Sequence, residues 1–215
     1  MLQQQWLIRS ETFATNDCAA QEGGVSPGVH RVVRFTVGTA NIGDADLVVG
    51  DPKKHYAAND GLFELASCHG HYHFRHYAKY ELVASDGRVW RAAKQGFCMI
   101  DTDPNVAPYA LPDRPAIFTR CGSKTSPGYQ GISRGWTDTY GYLLQGQFFV
   151  LDGGDGQPPV PAGTYTLRIS VNPPFMPAAG DPPCPNRDAA GFCHQLKESN
   201  YNNNIAQLTV NVPAP

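Results

Sequence analysis

Residues 161–171, PAGTYTLRISV, carry the clearest strand signal in the chain. Apolar side chains occupy every second position from Tyr165 to Val171, and Thr, Arg and Ser stand between them. This period of two is typical of a strand with one face in the core and the other in water. The Pro-Ala-Gly run at 161–163 supplies a turn that starts the strand. We therefore expect a half-buried strand of the kind found in antiparallel sheets.

Other segments repeat this alternation or form short apolar runs, at residues 33–37, 47–49, 77–83, 97–100, 147–151 and 206–212. The 22 glycines and 18 prolines are spread along the chain, so helices should be few and short. Together these features predict an all-β fold, an antiparallel β-sandwich with long loops. The long connections are expected at residues 51–60, 103–134, 152–162 and 172–197, and the second should form part of the rim of a site.

Length and composition favour one domain over residues 1–215, with 41% hydrophobic residues to fill a core. The net charge is −2 and the sequence contains no run of Lys or Arg, which makes nucleic acid an unlikely partner. No stretch approaches the ~20 apolar residues of a membrane span, and residues 1–10 lack the layout of a signal peptide.

The six cysteines form an even set with no CxxC pair, which argues against a zinc ribbon. In an extracellular protein such a set forms disulfides, and 15 pairings are open on arithmetic alone. Cys184 and Cys193 bracket a Pro-rich excursion that a local bridge would tie down. We predict secretion from this cysteine usage.

The segment CHGHYHF, residues 68–74, places imidazoles at i, i+2 and i+4 through His69, His71 and His73. On a strand these positions share one face, and Gly70 allows the curvature that brings the outer rings together. A single histidine usually has a structural duty, but three on one face indicate a metal site. An all-nitrogen site suits copper or zinc, and copper binds more tightly where it is present.

The four remaining histidines lack this spacing and are interpreted as structural or surface residues: His30, His55, His76 and His194. Among them, His76 is the one plausible substitute ligand.

Three stretches in order resemble the catalytic domain of the lysyl oxidase family, in a divergent member of microbial type. They are CHGHYHF at 68–74, KQGFCMIDT at 94–102 and QGISRGWTDTYG at 130–141. Two weaker matches follow, PAGTYTLRISVNP at 161–173 and ESNYNNN at 198–204. The His run alone would be suggestive, whereas the ordered set is specific.

The resemblance implies a lysine tyrosylquinone cofactor, made when copper and dioxygen oxidise Tyr140 and the amine of Lys94 adds to the ring. It further implies a secreted oxidase that converts primary amines, of peptidyl lysine or small molecules, to aldehydes with release of ammonia and hydrogen peroxide. A precursor could hold the two side chains apart. For the base that removes the α-proton we propose Asp138, which would share a strand face with Tyr140; a turn or capping carboxylate is an equally good interpretation on geometry alone.

The family register also implies disulfide pairs, Cys18 with Cys68 and Cys98 with Cys121. Two further family bridges are missing, because Gly24 with Gly146 and Pro104 with Trp136 stand at those positions. Loss of both partners together is expected of a true homologue, since one orphaned thiol would be a liability.

Some members of the family carry calcium near the ESNYNNN segment, where this chain offers hard oxygen donors. A solvated Asn-rich loop is the simpler interpretation. The candidate ligands are Glu198, Asn200, Asn203 and Asn204.

Two other functions compete with the oxidase. A non-enzymatic copper- or zinc-binding adhesion or interaction domain would keep the histidines without the cofactor. A zinc hydrolase ranks last, because the histidine run lacks the glutamate of an HExxH arrangement.

Overall fold

The computed structural model describes residues 6–22, 24–92, 94, 96–176, 184 and 186–215. In chain order the elements are β1 (Trp6–Phe13), α1 (Cys18–Gln21), β2 (Gly28–Phe35), β3 (Val37–Ala40), β4 (Leu47–Gly50), α2 (Pro52–Ala58), β5 (Phe63–Ala66), β6 (His71–Arg75), β7 (Ala78–Ala84), β8 (Val89–Arg91), β9 (Gly96–Phe97), β10 (Asp103–Pro104), β11 (Arg120–Cys121), β12 (Gly128–Ile132), β13 (Trp136–Tyr140), β14 (Phe148–Val150), β15 (Gly163–Val171), β16 (Asn186–Arg187), β17 (Cys193–His194), the 3-10 helix η1 (Tyr201–Asn203) and β18 (Ile205–Val212).

The alternating segment at residues 161–171 contains β15, an interior strand of a sheet ordered β18-β15-β7-β8. It pairs antiparallel with β18 over eight residues and with β7 over seven. Tyr165, Leu167 and Ile169 are buried, while the residues between them are partly exposed. The period of two therefore predicted both the strand and its inner face.

A second sheet, ordered β1-β2-β14, faces the first across the main core. Phe35 of β2 meets Tyr80 of β7 edge-on at 5.1 Å and stacks on Phe149 of β14, also at 5.1 Å. Each fully buried aromatic or aliphatic side chain contributes about 1.5–3 kcal/mol. The all-β prediction is confirmed.

Three short sheets hold the chemically interesting segments, ordered β5-β6-β9, β10-β13-β3 and β11-β12-β4. β6, which carries His71 and His73, pairs with β9 just after Lys94, through Phe74 opposite Phe97. β13, which carries Asp138 and Tyr140, pairs with β3. The three matched motifs thus fold into neighbouring short sheets.

Several predicted boundaries are wrong. The connection predicted at 103–134 contains β10, β11 and β12. The first two have only two residues each, and the sequence of β12, GYQGI, does not alternate. The one at 51–60 contains α2, capped by the Asp51 side chain with Pro52 in its first turn. Two-residue strands β16 and β17 lie within 172–197, although 177–183 and 185 fall outside the described residues. β1 was not predicted, and the apolar run 97–100 is strand only in β9.

The three disulfides join Cys18 to Cys68, Cys98 to Cys121 and Cys184 to Cys193, as the register and the local spacing implied. Pro104 lies directly opposite Trp136 in the β10–β13 pair, where the register places one missing bridge. No helix in the described part of the chain has the length and apolar character of a membrane span.

Candidate metal and cofactor site

A tight turn followed by a strand gathers three imidazoles. Gly70, at φ +73°, turns the chain between His69 and the start of β6, so His69 lies in a turn and not on the strand as predicted. The Nε2 atom of His73 lies 3.2 Å from Nδ1 of His69 and 3.1 Å from Nε2 of His71. One nitrogen from each ring lies within 4.8 Å of the others. The glycine supplies a conformation that other residues rarely adopt.

Burial keeps these imidazoles neutral. It lowers the pKa of His69, His71 and His73, and that of His73 falls to about 3, with the nearby Lys94 ammonium as the second cause. Neutral imidazoles present lone pairs to a metal. Nε2 of His69 is buried without a hydrogen-bond partner within the described residues. The His69 nitrogen that converges with the other two is Nδ1, on the same ring. Three converging nitrogens from neutral imidazoles fit a copper or zinc ion.

Carboxylate and backbone groups surround the ring nitrogens. Nδ1 of His71 lies 3.2 Å from the His69 carbonyl oxygen, which fixes the ring orientation. Oε1 of Glu22 lies 3.8 Å from Nδ1 of His69. Glu22 follows helix α1, which the Cys18–Cys68 bridge fastens next to the turn.

The four remaining histidines lie outside the only three-residue metal group found among the described residues. Each has a partner elsewhere. These partners are Ser26 and Asp152 for His30, Asp60 for His55, the Phe175 ring for His76, and Asp188 with the Asn172 carbonyl for His194.

The structure places Lys94 against Tyr140. Nζ of Lys94 lies 5.3 Å from the centroid of the Tyr140 ring and 5.2 Å from that of Phe97. The Tyr140 hydroxyl donates to the Cys98 carbonyl at 2.7 Å, and the Phe97 ring meets the Tyr140 ring edge-on at 5.0 Å. The two side chains are therefore adjacent, and the separation considered for a precursor is not found.

Burial shifts the pKa of both partners toward their neutral forms. It lowers the pKa of the Lys94 amine, an effect that the carboxylates of Glu22 and Asp138 oppose. It raises the pKa of the Tyr140 hydroxyl well above its usual value. A lysine that loses its proton easily is a better nucleophile.

Asp138 occupies the middle of β13, two residues before Tyr140, and is 2% exposed. Burial raises the pKa of its carboxyl well above the usual range, Lys94 opposes the shift and Asp101 adds to it. Its Oδ2 atom has no hydrogen-bond partner among the described residues. A backbone hydrogen bond from Ile100 also opposes the shift in the pKa of this carboxyl. Its role, as a base or as a structural carboxylate, stays a prediction.

Two buried polar residues, neither predicted from the sequence as part of the site, hold these segments together. Asp101 accepts from the backbone N–H groups of Ile117, Phe118 and Ser133 and from the Ser133 hydroxyl. Gln130, fully buried, donates to the Tyr72 and Cys121 carbonyls and accepts from the Met99 N–H. Both lie inside the matched motifs, and that position was the one available signal.

A cavity of about 430 Å³ opens beside Lys94. Its lining includes Glu22, Glu64, His73, Lys94 and Gly146. Lys94 and a candidate metal ligand therefore line one cavity, whereas Tyr140 and Asp138 are not among its lining residues.

Comparison with known proteins gives the family. The sequence model of the lysyl oxidase family matches residues 8–181. The chain belongs to the lysyl oxidase family. This family member is 27% identical over 206 residues to protein-lysine 6-oxidase of Rattus norvegicus and to that of Homo sapiens, alignments that cover 90% of this chain. It is 24% identical over 192 residues, 84% of the chain, to lysyl oxidase homolog 2 of Homo sapiens. The alignments span 40%, 39% and 22% of those relatives respectively.

The loop predicted to bind calcium in this lysyl oxidase family member is held by its own side chains. Oε1 of Glu198 accepts from the amides of Asn172 and Asn204, at 2.5 and 2.9 Å. The Asn200 side chain caps η1 by accepting from the Asn202 N–H. Calcium binding here, which would also involve Asn203, stays a prediction.

Proposed function

We propose that residues 1–215 act as a single catalytic domain, a copper-dependent amine oxidase whose lysine tyrosylquinone forms from Lys94 and Tyr140. One observation carries this proposal: the Lys94 amine lies over the Tyr140 ring, beside three converging histidines. A passive metal-binding domain has no need of that pairing. The geometry therefore favours the oxidase over the adhesion or interaction domain.

The copper ligands would be His69, His71 and His73. When bound, copper would supply the redox chemistry with dioxygen that oxidises the tyrosine ring, and the quinone would supply a carbonyl that condenses with a primary amine. The protein's part in this is to hold three neutral imidazoles within reach of one ion.

Lys94 and Tyr140 are positioned for a bond between the amine and the ring. The hydrogen bond from the Tyr140 hydroxyl to Cys98 and the edge contact with Phe97 fix the ring plane. Burial lowers the pKa of Lys94, so its lone pair is more accessible than that of a surface lysine. Such pre-orientation replaces an improbable encounter by a local one.

Asp138 would remove the α-proton of the bound amine. A carboxyl whose pKa is raised is a stronger base than an exposed one and works nearer neutral pH. Its Oδ2 has no hydrogen-bond partner in the described part of the chain, which leaves one oxygen for that proton.

The substrate would be a primary amine, either a lysine side chain of a polypeptide or a small amine. The relatives are named for protein lysine, and the cavity is larger than one lysine side chain. The overall reaction takes amine, dioxygen and water to aldehyde, ammonia and hydrogen peroxide. The three disulfides support an oxidising, extracellular location.

Carbonyl labelling tests the proposal. The copper-loaded chain should react with phenylhydrazine and release peroxide when a primary amine is added. Lys94→Arg should retain copper but release no peroxide. A chain that binds copper yet neither labels nor oxidises amines would point to the metal-binding domain, and amine-dependent peroxide from Lys94→Arg would reject the assigned cofactor.

A further inference from the structure

Four charged side chains line the cavity beside Lys94, two acidic and two basic: Glu22, Glu64, Arg75 and Lys94. Nε of Arg75 lies 3.9 Å from Oε2 of Glu64, so these two charges are neighbours. Glu22 is therefore the remaining acid of the cavity and Lys94 the remaining base. These four charges balance only while Lys94 is an ammonium.

Glu22 and Lys94 act on each other electrostatically. Burial raises the pKa of Glu22, and the charge of Lys94 opposes that rise. Burial lowers the pKa of Lys94, and Glu22 opposes that fall more strongly than Asp138 does. The rings of His69, 3.8 Å from Oε1 of Glu22, and of His71 are also near, but burial favours their neutral forms. Within the described residues, Lys94 is therefore the cation that balances Glu22.

Formation of the crosslink removes this cation. The Lys94 nitrogen, once deprotonated, bonds to a carbon of the oxidised Tyr140 ring, and the two hydrogen atoms displaced, one from each, reduce dioxygen to hydrogen peroxide. The nitrogen then shares its lone pair with the ring carbonyls, so it no longer binds a proton at neutral pH. The carboxylate of Glu22 is left facing the cavity with its balancing charge gone. A half-buried charge in this setting favours a new partner of opposite sign.

We propose that Glu22 binds the ammonium group of the incoming substrate, in the place that the charge of Lys94 leaves. The site would thereby select protonated primary amines. The Glu22 side chain is 43% exposed and lines the cavity, so a ligand there can reach its oxygens. The Cys18–Cys68 bridge fastens α1, and with it Glu22, next to the histidine turn. The inference rests on the proposed function, since the charge is lost only if the crosslink forms.

The experiment compares Glu22→Gln, Glu22→Asp and the unmodified sequence in the full chain. Asp86→Asn is the matched control, because it removes one negative charge in the turn between β7 and β8, where the side chain is 52% exposed and does not line the cavity. Each protein is loaded with copper in air, and its copper content and the crosslinked peptide pair are measured. The kcat and KM for n-butylamine are then obtained from peroxide release at ionic strengths of about 0.01 M and about 0.15 M.

We expect all four proteins to bind copper and to form the crosslink. At the lower ionic strength Glu22→Gln should raise KM about 5- to 10-fold, as loss of a charged hydrogen-bond partner does, with little change in kcat. Glu22→Asp should recover part of this loss, and Asp86→Asn should match the unmodified chain. Salt should raise KM less in Glu22→Gln than in the other three proteins, because salt screens only charges that are present.

The outcomes separate the role of Glu22 from the proposed function. An unchanged KM and salt dependence in crosslinked Glu22→Gln would overturn the substrate role and leave the oxidase intact. Loss of copper or of the crosslink in Glu22→Gln would also overturn it, because Glu22 would then serve the metal or cofactor formation. Absence of the crosslink from the unmodified chain would overturn both.

Discussion

Replacement of Gln130 by leucine should destabilise the fold and loosen the metal site together. Its amide joins three segments through hydrogen bonds of 2.8–2.9 Å to Tyr72, Cys121 and Met99. Tyr72 stands between two of the candidate ligands, and Met99 follows the carbonyl that accepts from Tyr140. One side chain thus connects the histidine strand to the cofactor segment.

The magnitude follows from what the substitution leaves behind. Two backbone carbonyls and one N–H would lose a buried partner, at about 1–3 kcal/mol each. Leucine recovers about 1.5–3 kcal/mol by burying apolar surface in a site that is fully enclosed. The net loss in the free energy of unfolding should centre on about 4 kcal/mol, within a range of roughly 1.5–6 kcal/mol, a large part of the 5–15 kcal/mol typical of a domain.

Gln157→Leu is the matched control. Gln157 also makes hydrogen bonds to two neighbours, Arg91 and Asp155, but it is only half-buried, so water can replace them. Urea unfolding followed by linear extrapolation should give a loss below about 1 kcal/mol for this variant. Copper retained after dialysis should fall in Gln130→Leu alone. Losses within about 1 kcal/mol of each other, with equal copper retention, would refute the connecting role of Gln130.

Three further outcomes are expected. His71→Ala should lose copper. His76→Asn is the control and should retain copper, because asparagine tolerates the positive φ at position 76. Full copper content in His71→Ala, measured by metal analysis, would contradict the proposed metal site. Replacing Cys18 and Cys68 together by alanine should cost about 2–5 kcal/mol in urea unfolding and reduce copper retention, because the bridge adjoins the histidine turn; unchanged retention would separate the bridge from the site. Asp138→Asn should abolish peroxide release with copper content unchanged. Burial raises the folded-state pKa of Asp138, so its ionisation opposes folding as pH rises above about 4. The free energy of unfolding should therefore decline less with pH in this variant than in the unmodified chain. Identical pH profiles of the two proteins would argue against a buried carboxyl.

The fold was predictable where one face of a strand is buried and the other is exposed to solvent. β15 shows this pattern along its whole length, and its inner residues were identified from sequence. β12 was missed because its sequence, GYQGI, buries the polar Gln130 and two residues beside it, which removes the alternation. α2 was missed because helical periodicity needs more than its seven residues, although Asp51 and Pro52 form a recognisable start.

The sequence predicted which residues form the site better than it predicted how they are arranged. The spacing of the histidines named His69, His71 and His73, but placed all three on a strand; the positive φ of Gly70 puts the first in a turn. The contact between Lys94 and Tyr140 could not follow from spacing, since it depends on how β9 and β13 are packed. The role of Gln130 depends on contacts between distant segments and became visible only in three dimensions.

The central claim is the covalent bond between Lys94 and Tyr140, and peptide mass spectrometry of the copper-loaded, reduced chain tests it most directly. Trypsin should leave residues 92–120 joined to 135–168, because a modified Lys94 is no longer cleaved. We expect this joined species after copper loading in air, and we expect it to be missing from metal-free protein, from Lys94→Arg and from Tyr140→Phe. Recovery of Lys94 and Tyr140 in separate, unmodified peptides from fully copper-loaded protein would contradict the account.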